Sequence, residues 1–429
     1  MANFNHMPNE ILELIFDNLD FRSRRNLTLV CQRWDAVLLS DRFINRNVLL
    51  ALDGNRMLDP KHTLYRYYPN LSLRLNGPAS SESAKSLRTL PSVVPSPTCV
   101  RLHVAQPNDP RWVAICEEQF INLRTVDTLH VVGSVRSDQR RPLSLRMDRL
   151  HTLKLEVVGI EDFRLRAPNL RHLHMVVHSE EHLDFLLQFI NQLHSLSVVF
   201  GSKESYYFYN LKLSNLRHLS IDRRLKGMTK SEQNISIAFF KRSVHLERLE
   251  LTVKFIDSYV LHTIADKLTQ LVELTLQVAE GTIELGHIAM LTRLERLRIV
   301  ASRVNLQNVH LPVLRSLVLG STELGTGTYL EGIECLMTFT RLSTLTLVNV
   351  KIYPEVLQLT PTYSVERMVL THYRRLEENH LHILVKRFPA IRWLRISNCH
   401  GLYQREIDKL KRMLPKLAVA FDEAKSDRL

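Results

Sequence analysis

The chain contains no apolar run that approaches the ~18 consecutive residues of a membrane span, so no membrane partner is expected of its 429 residues. Its opening, "MANFNHMPNE", lacks a basic start followed by an apolar stretch, so no signal peptide is expected. The five cysteines, Cys31, Cys99, Cys116, Cys335 and Cys399, are odd in number, scattered and never spaced CxxC. That excludes a disulfide framework and points to a reducing setting, cytoplasmic and/or nuclear. Asn26-Leu27-Thr28 matches a glycosylation sequon, but a glycan would disrupt the apolar, helix-like segment that holds it.

Catalytic signatures are absent too. There is no GxxxxGK[ST], so Gly325 and Gly327 make no phosphate loop, and there is no HExxH. The pairs His172-x-His174 and His380-x-His382 lack clear further ligands and read as surface histidines. No metal, cofactor or catalytic residue is expected. The aromatic "YYFY" at 206–209 reads as a core cluster rather than a base-stacking platform.

What is present is charge and repetition. The formal net charge is +13. Residues 1–45 are near neutral, whereas 52 Lys/Arg face 38 Asp/Glu beyond them. The excess reads as serving solubility. Acidic partners or nucleic acid, bound through that excess, are the alternatives, although nucleic acid is not the expected partner.

The pattern apolar-x-x-apolar-x-apolar recurs along the chain. It reads "CVRLHV" at 99, "VDTLHV" at 126, "LHTLKL" at 150, "LRHLHM" at 170, "LHSLSV" at 193, "LRHLSI" at 216 and "LERLEL" at 246. It continues as "LVELTL" at 271, "LERLRI" at 294, "LRSLVL" at 314, "LSTLTL" at 342, "VERMVL" at 365, "IRWLRI" at 391 and "LPKLAV" at 414. "YPNLSL" at 68 is an irregular further copy. Thirteen intervals over 315 residues give a mean period near 24, which is within the range of leucine-rich repeats. Each copy supplies a short strand that cannot bury its apolar face alone, so neighbours must stack in parallel. The pattern predicts helical returns at 182–193, 258–268, 329–339 and 379–388. The shorter units return through the proline-containing "RLRAPNL" and "NVHLPVL". The copies resemble the repeats of intracellular proteins, although that family's Asn or Cys after the strand is matched clearly only at "LRISNC", ending at Cys399.

Alternate strand residues point away from the core and, in this architecture, line a concave face. The expected substrate-binding residues there are His130, Lys154, His172, His174, His218, Arg248, Glu250, Arg296, Arg298, Trp393 and Arg395. His103, Asp222, Glu273 and Arg367 share the same positions. The face reads as histidine-rich early and arginine-rich late. Longer units at 222–233 and 320–332, and the Ser/Pro-rich 77–98, offer loops or returns.

Residues 7–34, "MPNEILELIFDNLDFRSRRNLTLVCQRW", hold more apolar side chains than so short a unit needs. Pro8 suits a helix start, Ile11, Leu12, Ile15, Phe16 and Leu19 follow at helical spacing, and Asp20 and Ser40 suit N-caps. Three short helices are expected over 8–39, with "FRSRRN" (21–26) as the link. "MPNEILELIFDNLD" and "LTLVCQRW" resemble the opening and close of the F-box family, over about residues 5–45. The resemblance implies binding to a Skp adaptor, and through it to cullin and RING subunits. It places the adaptor surface at Pro8, Ile11, Leu12, Ile15, Leu19, Leu27, Val30, Cys31 and Trp34.

The expected architecture is α/β. A short three-helix F-box module spans 1–45, a linker with the first irregular repeats 46–98, a leucine-rich-repeat solenoid 99–420, with parallel strands on the concave face and helices and turns on the convex face, and a tail 421–429. The expected role is the non-catalytic substrate receptor of a ubiquitin ligase, with an interaction scaffold outside ubiquitin transfer as the alternative. The identity of the substrate protein is open.

Overall fold

A computed structural model describes residues 7–53, 68–75, 97–104, 125–134, 143–201, 207–223, 230–321, 327–351, 361–373 and 376–423. Four short helices open the chain: α1 (Asn9–Asp17), α2 (Phe21–Leu27), α3 (Gln32–Leu38) and α4 (Asp41–Asn47). Sixteen parallel strands follow in chain order, so the protein is mixed α/β with helices at its N-terminus. The chain divides into two compact units, residues 1–176 with 184–192, and 177–183 with 193–429. Among the described residues no helix is long and apolar enough to cross a membrane.

In the first unit the strands are β1 (Leu50–Asp53), β2 (Asn70–Leu75), β3 (Cys99–Val104), β4 (Thr128–Ser134), β6 (Thr152–Val158) and β8 (His172–Val177). Short β5 (Leu143–Arg146) and β7 (Phe163–Arg166) pair with each other beside them. The register explains the repeat pattern. Leu129, Leu153 and Leu173 stand side by side, as do Val131, Leu155 and Met175, and all six are buried. Strand residues alternate between two faces, so Thr128, His130, Lys154 and His174 point to the opposite, open face. Their burial pattern bears this out.

The second unit repeats the arrangement with β9 (Ser195–Phe200), β10 (His218–Arg223), β11 (Arg248–Val253), β12 (Glu273–Val278), β14 (Arg296–Val300), β16 (Ser316–Gly320), β18 (Thr344–Val348), β19 (Arg367–Thr371), β20 (Trp393–Cys399) and β21 (Ala418–Glu423). Leu249, Leu274, Leu297, Leu317, Leu345, Met368 and Leu394 form one buried row in register. Burying a leucine side chain stabilises by about 1.5–3 kcal/mol, and each strand repeats the gain. Short β13 (Thr282–Glu284), β15 (Arg303–Asn305) and β17 (Tyr329–Glu331) form a second small parallel sheet across three returns.

Two copies sit two residues from their expected frame. Val100 is level with Leu129, and Val419 with Leu394, so these copies begin at Pro97 and Lys416 rather than Cys99 and Leu414. A two-residue slip keeps every side chain on its face, because the strand period is two. The returns at 258–268 and 379–388 are helical as expected, over Ser258–Lys267 and Glu378–Arg387. The expected 182–193 helix runs over Glu180–Leu187. The expected 329–339 helix is instead β17 followed by a 3₁₀ turn, Ile333–Thr338. Gly332 makes that break: its φ is +69°, and an added Cβ would meet the Gln307 backbone nitrogen at 2.5 Å. Two helices, Lys230–Arg242 and Gln404–Met413, were not foreseen. The first lies in a return with scattered polar residues, and tertiary burial of Phe239 and Phe240 stabilises it.

Those phenylalanines complete the aromatic cluster expected around 206–209. Phe208 and Tyr209 are buried and pack against Phe239 with ring centroids 5.5 and 5.6 Å away, while Tyr207 is exposed and Tyr206 lies outside the described residues. Most of 77–98 and parts of the loops 222–233 and 320–332 and of the tail 421–429 also lie outside them. Cys399 ends β20: its buried thiol donates to the Leu370 carbonyl at 3.6 Å, and burial pushes its pKa up.

The alternation sets a direct test on β12. Leu274→Ala is expected to cost about 2–5 kcal/mol in urea unfolding, and Thr275→Ala, one residue along on the open face, within about 0.5 kcal/mol. Equal losses at both positions would contradict the assigned faces.

Candidate functional site

The N-terminal module is built around α1. Pro8 carries no N–H to lose, and its carbonyl accepts from Ile11 and Leu12 at 3.1 Å each. Asp20 caps α2, accepting from the Ser23 backbone N–H at 2.7 Å. That bond holds its carboxyl below the ordinary carboxylate range. Ser40 caps α4 through Phe43 N–H at 3.3 Å. The segment 21–26 expected as a link is therefore helix α2, started by Asp20. Its basic character has a structural use: Arg24 donates to the Phe16 and Asp17 carbonyls at 3.0 and 2.9 Å, satisfying the end of α1. The same guanidinium lies over the Phe43 ring, 5.6 Å from its centroid. Glu13 pairs with Arg42 at 3.3 Å and Asp17 with Arg46, tying α1 to α4.

Leu12, Phe16, Val37, Leu38 and Phe43 form the buried core of the module, with Met7, Ile15, Leu19, Leu27 and Trp34 packed around it. Trp34 meets Phe16 edge-on at 5.5 Å. Leu12 is fully buried, so its expected role in direct contact is corrected: it sits on the inward stripe of α1 and supports the surface from below. Pro8 is exposed, Ile11 is 42% and Val30 58% exposed, and Ile15, Leu19, Leu27, Cys31 and Trp34 are half-buried. Two exposed leucines fall outside the expected set, Leu14 at 56% and Leu29 at 84%. Leu14 is three residues from Ile11 on the same helix face. Leu29 lies in a turn between α2 and α3, where helical spacing carries no signal.

The expected partner-binding residues of the repeats all lie at open-face positions of their strands, some in each unit. In the first unit His130, Lys154 and His174 share one register row, and His172 stands at the row before. His130 Nε2 is 3.0 Å from Glu156. In the second unit His218 is level with Arg248, and Arg248 with Glu273 and Arg296. Glu273 pairs with Arg296 at 3.0 Å and with Arg248 at 3.6 Å. Glu250 accepts from Ser220 at 3.3 Å. An open hollow of about 260 Å³ is lined there by Ser195, Ser197, His218, Ser220, Arg248, Glu250, Glu273 and Thr275. It exists because small hydroxyl side chains sit between longer charged ones. The arginine-rich late face is discontinuous. Strands β16 and β18, bearing Ser316, Val318, Thr344 and Thr346, separate Arg296 and Arg298 from Arg367, Trp393 and Arg395. Arg395 is also paired with Asp422 at 3.1 Å. Among the described residues no group of three or more His, Cys, Asp or Glu could hold a metal ion.

Residues 4–50 match the F-box-like family model. The chain matches no curated protein. Among solved structures, an LRR protein of Leptospira interrogans is similar over 85% of this chain and 97% of its own, at 15% identity and a TM-score of 0.32.

Burial pushes the pKa of His103, His130 and His174 below the ordinary 6.5, and neighbouring cations push the same way. A histidine that is harder to protonate when folded lets the unfolded state bind more protons between the two pKa values. Stability is therefore expected to fall as pH drops from about 6.5 toward the folded values, and to level off below them. Melting scans between pH 7.5 and 5 check this, and His130→Gln with His174→Gln is expected to flatten the slope. An unchanged slope in that variant would place the titration elsewhere.

Proposed function

We propose that the chain is the non-catalytic substrate receptor of an SCF-type cullin–RING ubiquitin ligase, acting in the cytoplasm and/or nucleus. The F-box-like module suggests an adaptor role, and F-box modules generally bind Skp adaptors. In this reading α1 and the turn before α3 bind the adaptor. The strands after the module form a leucine-rich-repeat solenoid whose open face holds a substrate protein. The chain contributes proximity rather than a reacting group: holding a substrate lysine beside the charged conjugating enzyme raises its effective concentration.

The observation that carries the reading is the split within the N-terminal module. Its core is already filled by Leu12, Phe16, Val37, Leu38 and Phe43, yet Ile11, Leu14, Leu29 and Val30 stay exposed. Large apolar side chains left in water cost free energy that a partner recovers by covering them. Interface energy concentrates in a few such residues. The scaffold reading, without a role in ubiquitin transfer, keeps the open face as a partner surface and leaves these side chains unexplained.

A pull-down of the full chain with a Skp adaptor tests the proposal. Ile11→Asp with Val30→Asp is expected to lower adaptor retention at least tenfold, about 1.4 kcal/mol, with melting unchanged. Leu12→Ala is expected to lower the melting temperature of the module, because it empties the core. If the wild-type chain retains no adaptor, the receptor reading fails and the scaffold reading replaces it.

A further inference from the structure

Among the described residues, the first unit carries a ladder of basic side chains with a single carboxylate at the open-face positions beside it. Register sets Arg101, His130, Lys154 and His174 side by side on β3, β4, β6 and β8. His103 stands two residues further along β3 and His172 two residues earlier on β8. Neighbouring strands lie about 4.8 Å apart, and like charges directly opposite each other destabilise a sheet. Glu156 is the only carboxylate at the open-face positions of these four strands, and His130 already bonds it at 3.0 Å. Arg101 and Lys154 make no ion pair among the described residues. The groups affect one another: burial disfavours the charged form of all three histidines most; Glu156 opposes it at each, and more than Arg101 and Lys154 add to it at His130, while Arg101 and Arg74 add to it at His103 and Lys154 at His174.

Folding gains nothing from such a row, whereas an anionic partner would. We propose that the ladder Arg101–His130–Lys154–His174 is the docking site for an extended, Asp/Glu-rich segment of a protein partner. The inference rests on reading the open face as the partner surface. Four strands span about 14 Å, which an extended chain of about four or five residues covers. Side-chain carboxylates would take the positions between the cations, where the described strands place only Glu156. Nucleic acid is the other polyanion of this charge. These open-face positions hold no Phe, Tyr or Trp on which a base could stack, and that favours the peptide. Protonation of His103, His130 and His174 adds positive charge to the ladder, so binding strengthens as pH falls.

Fluorescence anisotropy with the purified full chain tests this, using a fluorescein-labelled octa-glutamate peptide, its octa-glutamine counterpart and a labelled oligouridine. The glutamate peptide is expected to bind, the glutamine peptide not, and affinity to rise several-fold from pH 7.5 to 6.0. Arg101→Glu with Lys154→Glu is expected to weaken binding at least tenfold, and the milder Arg101→Gln with Lys154→Gln to act the same way if the reversal does not fold. Lys411→Glu, on the exposed side of the helix Gln404–Met413, is expected to leave binding unchanged. Equal binding of the two peptides, tighter binding of oligouridine, or folded ladder variants that bind like the wild type would each overturn the inference. The adaptor pull-down on the same preparations separates the two readings. Adaptor retained without peptide binding sinks the ladder alone, and peptide bound without adaptor retention sinks the receptor reading alone.

Discussion

One constraint organises most of the chain: a strand with two inward apolar residues can shed water only against the same pair on its neighbour. Leu249 and Leu251 lie level with Leu274 and Leu276, and these with Leu297 and Ile299. No repeat closes its own core, so register follows from burial, because a one-residue slip would carry each leucine to the open face. The returns are free to vary once that row is satisfied. They take α-helix over Ser258–Lys267, 3₁₀ turn over Leu285–Met290 and short strand over Arg303–Asn305 within successive repeats. What they share is an apolar residue delivered to the row, not a backbone conformation.

The same constraint frees the other face. Because most alternate positions are not needed for the core, they can carry His, Lys, Arg, Ser and Glu as the surface requires. That is why the units carry differently built open faces on the same strand pattern: a cation ladder in the first, and a hydroxyl-lined hollow with shared Arg–Glu pairs in the second. The N-terminal module follows a different rule. Its small core is closed by Leu12, Phe16, Val37, Leu38 and Phe43 and fastened by Arg24 and Asp20, so its remaining apolar side chains are surplus to its own stability.

Much of this was legible beforehand because periodicity is a local property. The fifteen expected copies all lie on strands of the sixteen, including the irregular one at Tyr68, and the histidines and arginines singled out do point to the open face. The errors also have physical causes. "CVRLHV" and "LPKLAV" admit two frames that differ by two residues, and only pairing with Leu129 and Leu394 chooses between them. The "EGIECLMTF" return has helical spacing, but Gly332 in the left-handed region stops an α-helix at its start. Leu12 and Ile11 are adjacent in an apolar stripe, and nothing in their spacing says that the first is buried and the second exposed.

The sequence alone determined the period, the parallel stacking, the faces of the strands and the resemblance of residues 5–45 to an adaptor-binding module. Each of these depends on spacing within a few residues, which the chain carries on its surface as text. Only the tertiary structure decided which basic residues stand together. Arg101, His130, Lys154 and His174 are separated by 20 or more residues in sequence, yet hydrogen-bond register makes them neighbours. It also decided that Arg24 belongs to the module's frame, and that Leu14 and Leu29 remain in water. The reason is the same in each case: burial and register are settled by what packs against a residue, and the packing partner is remote in the chain.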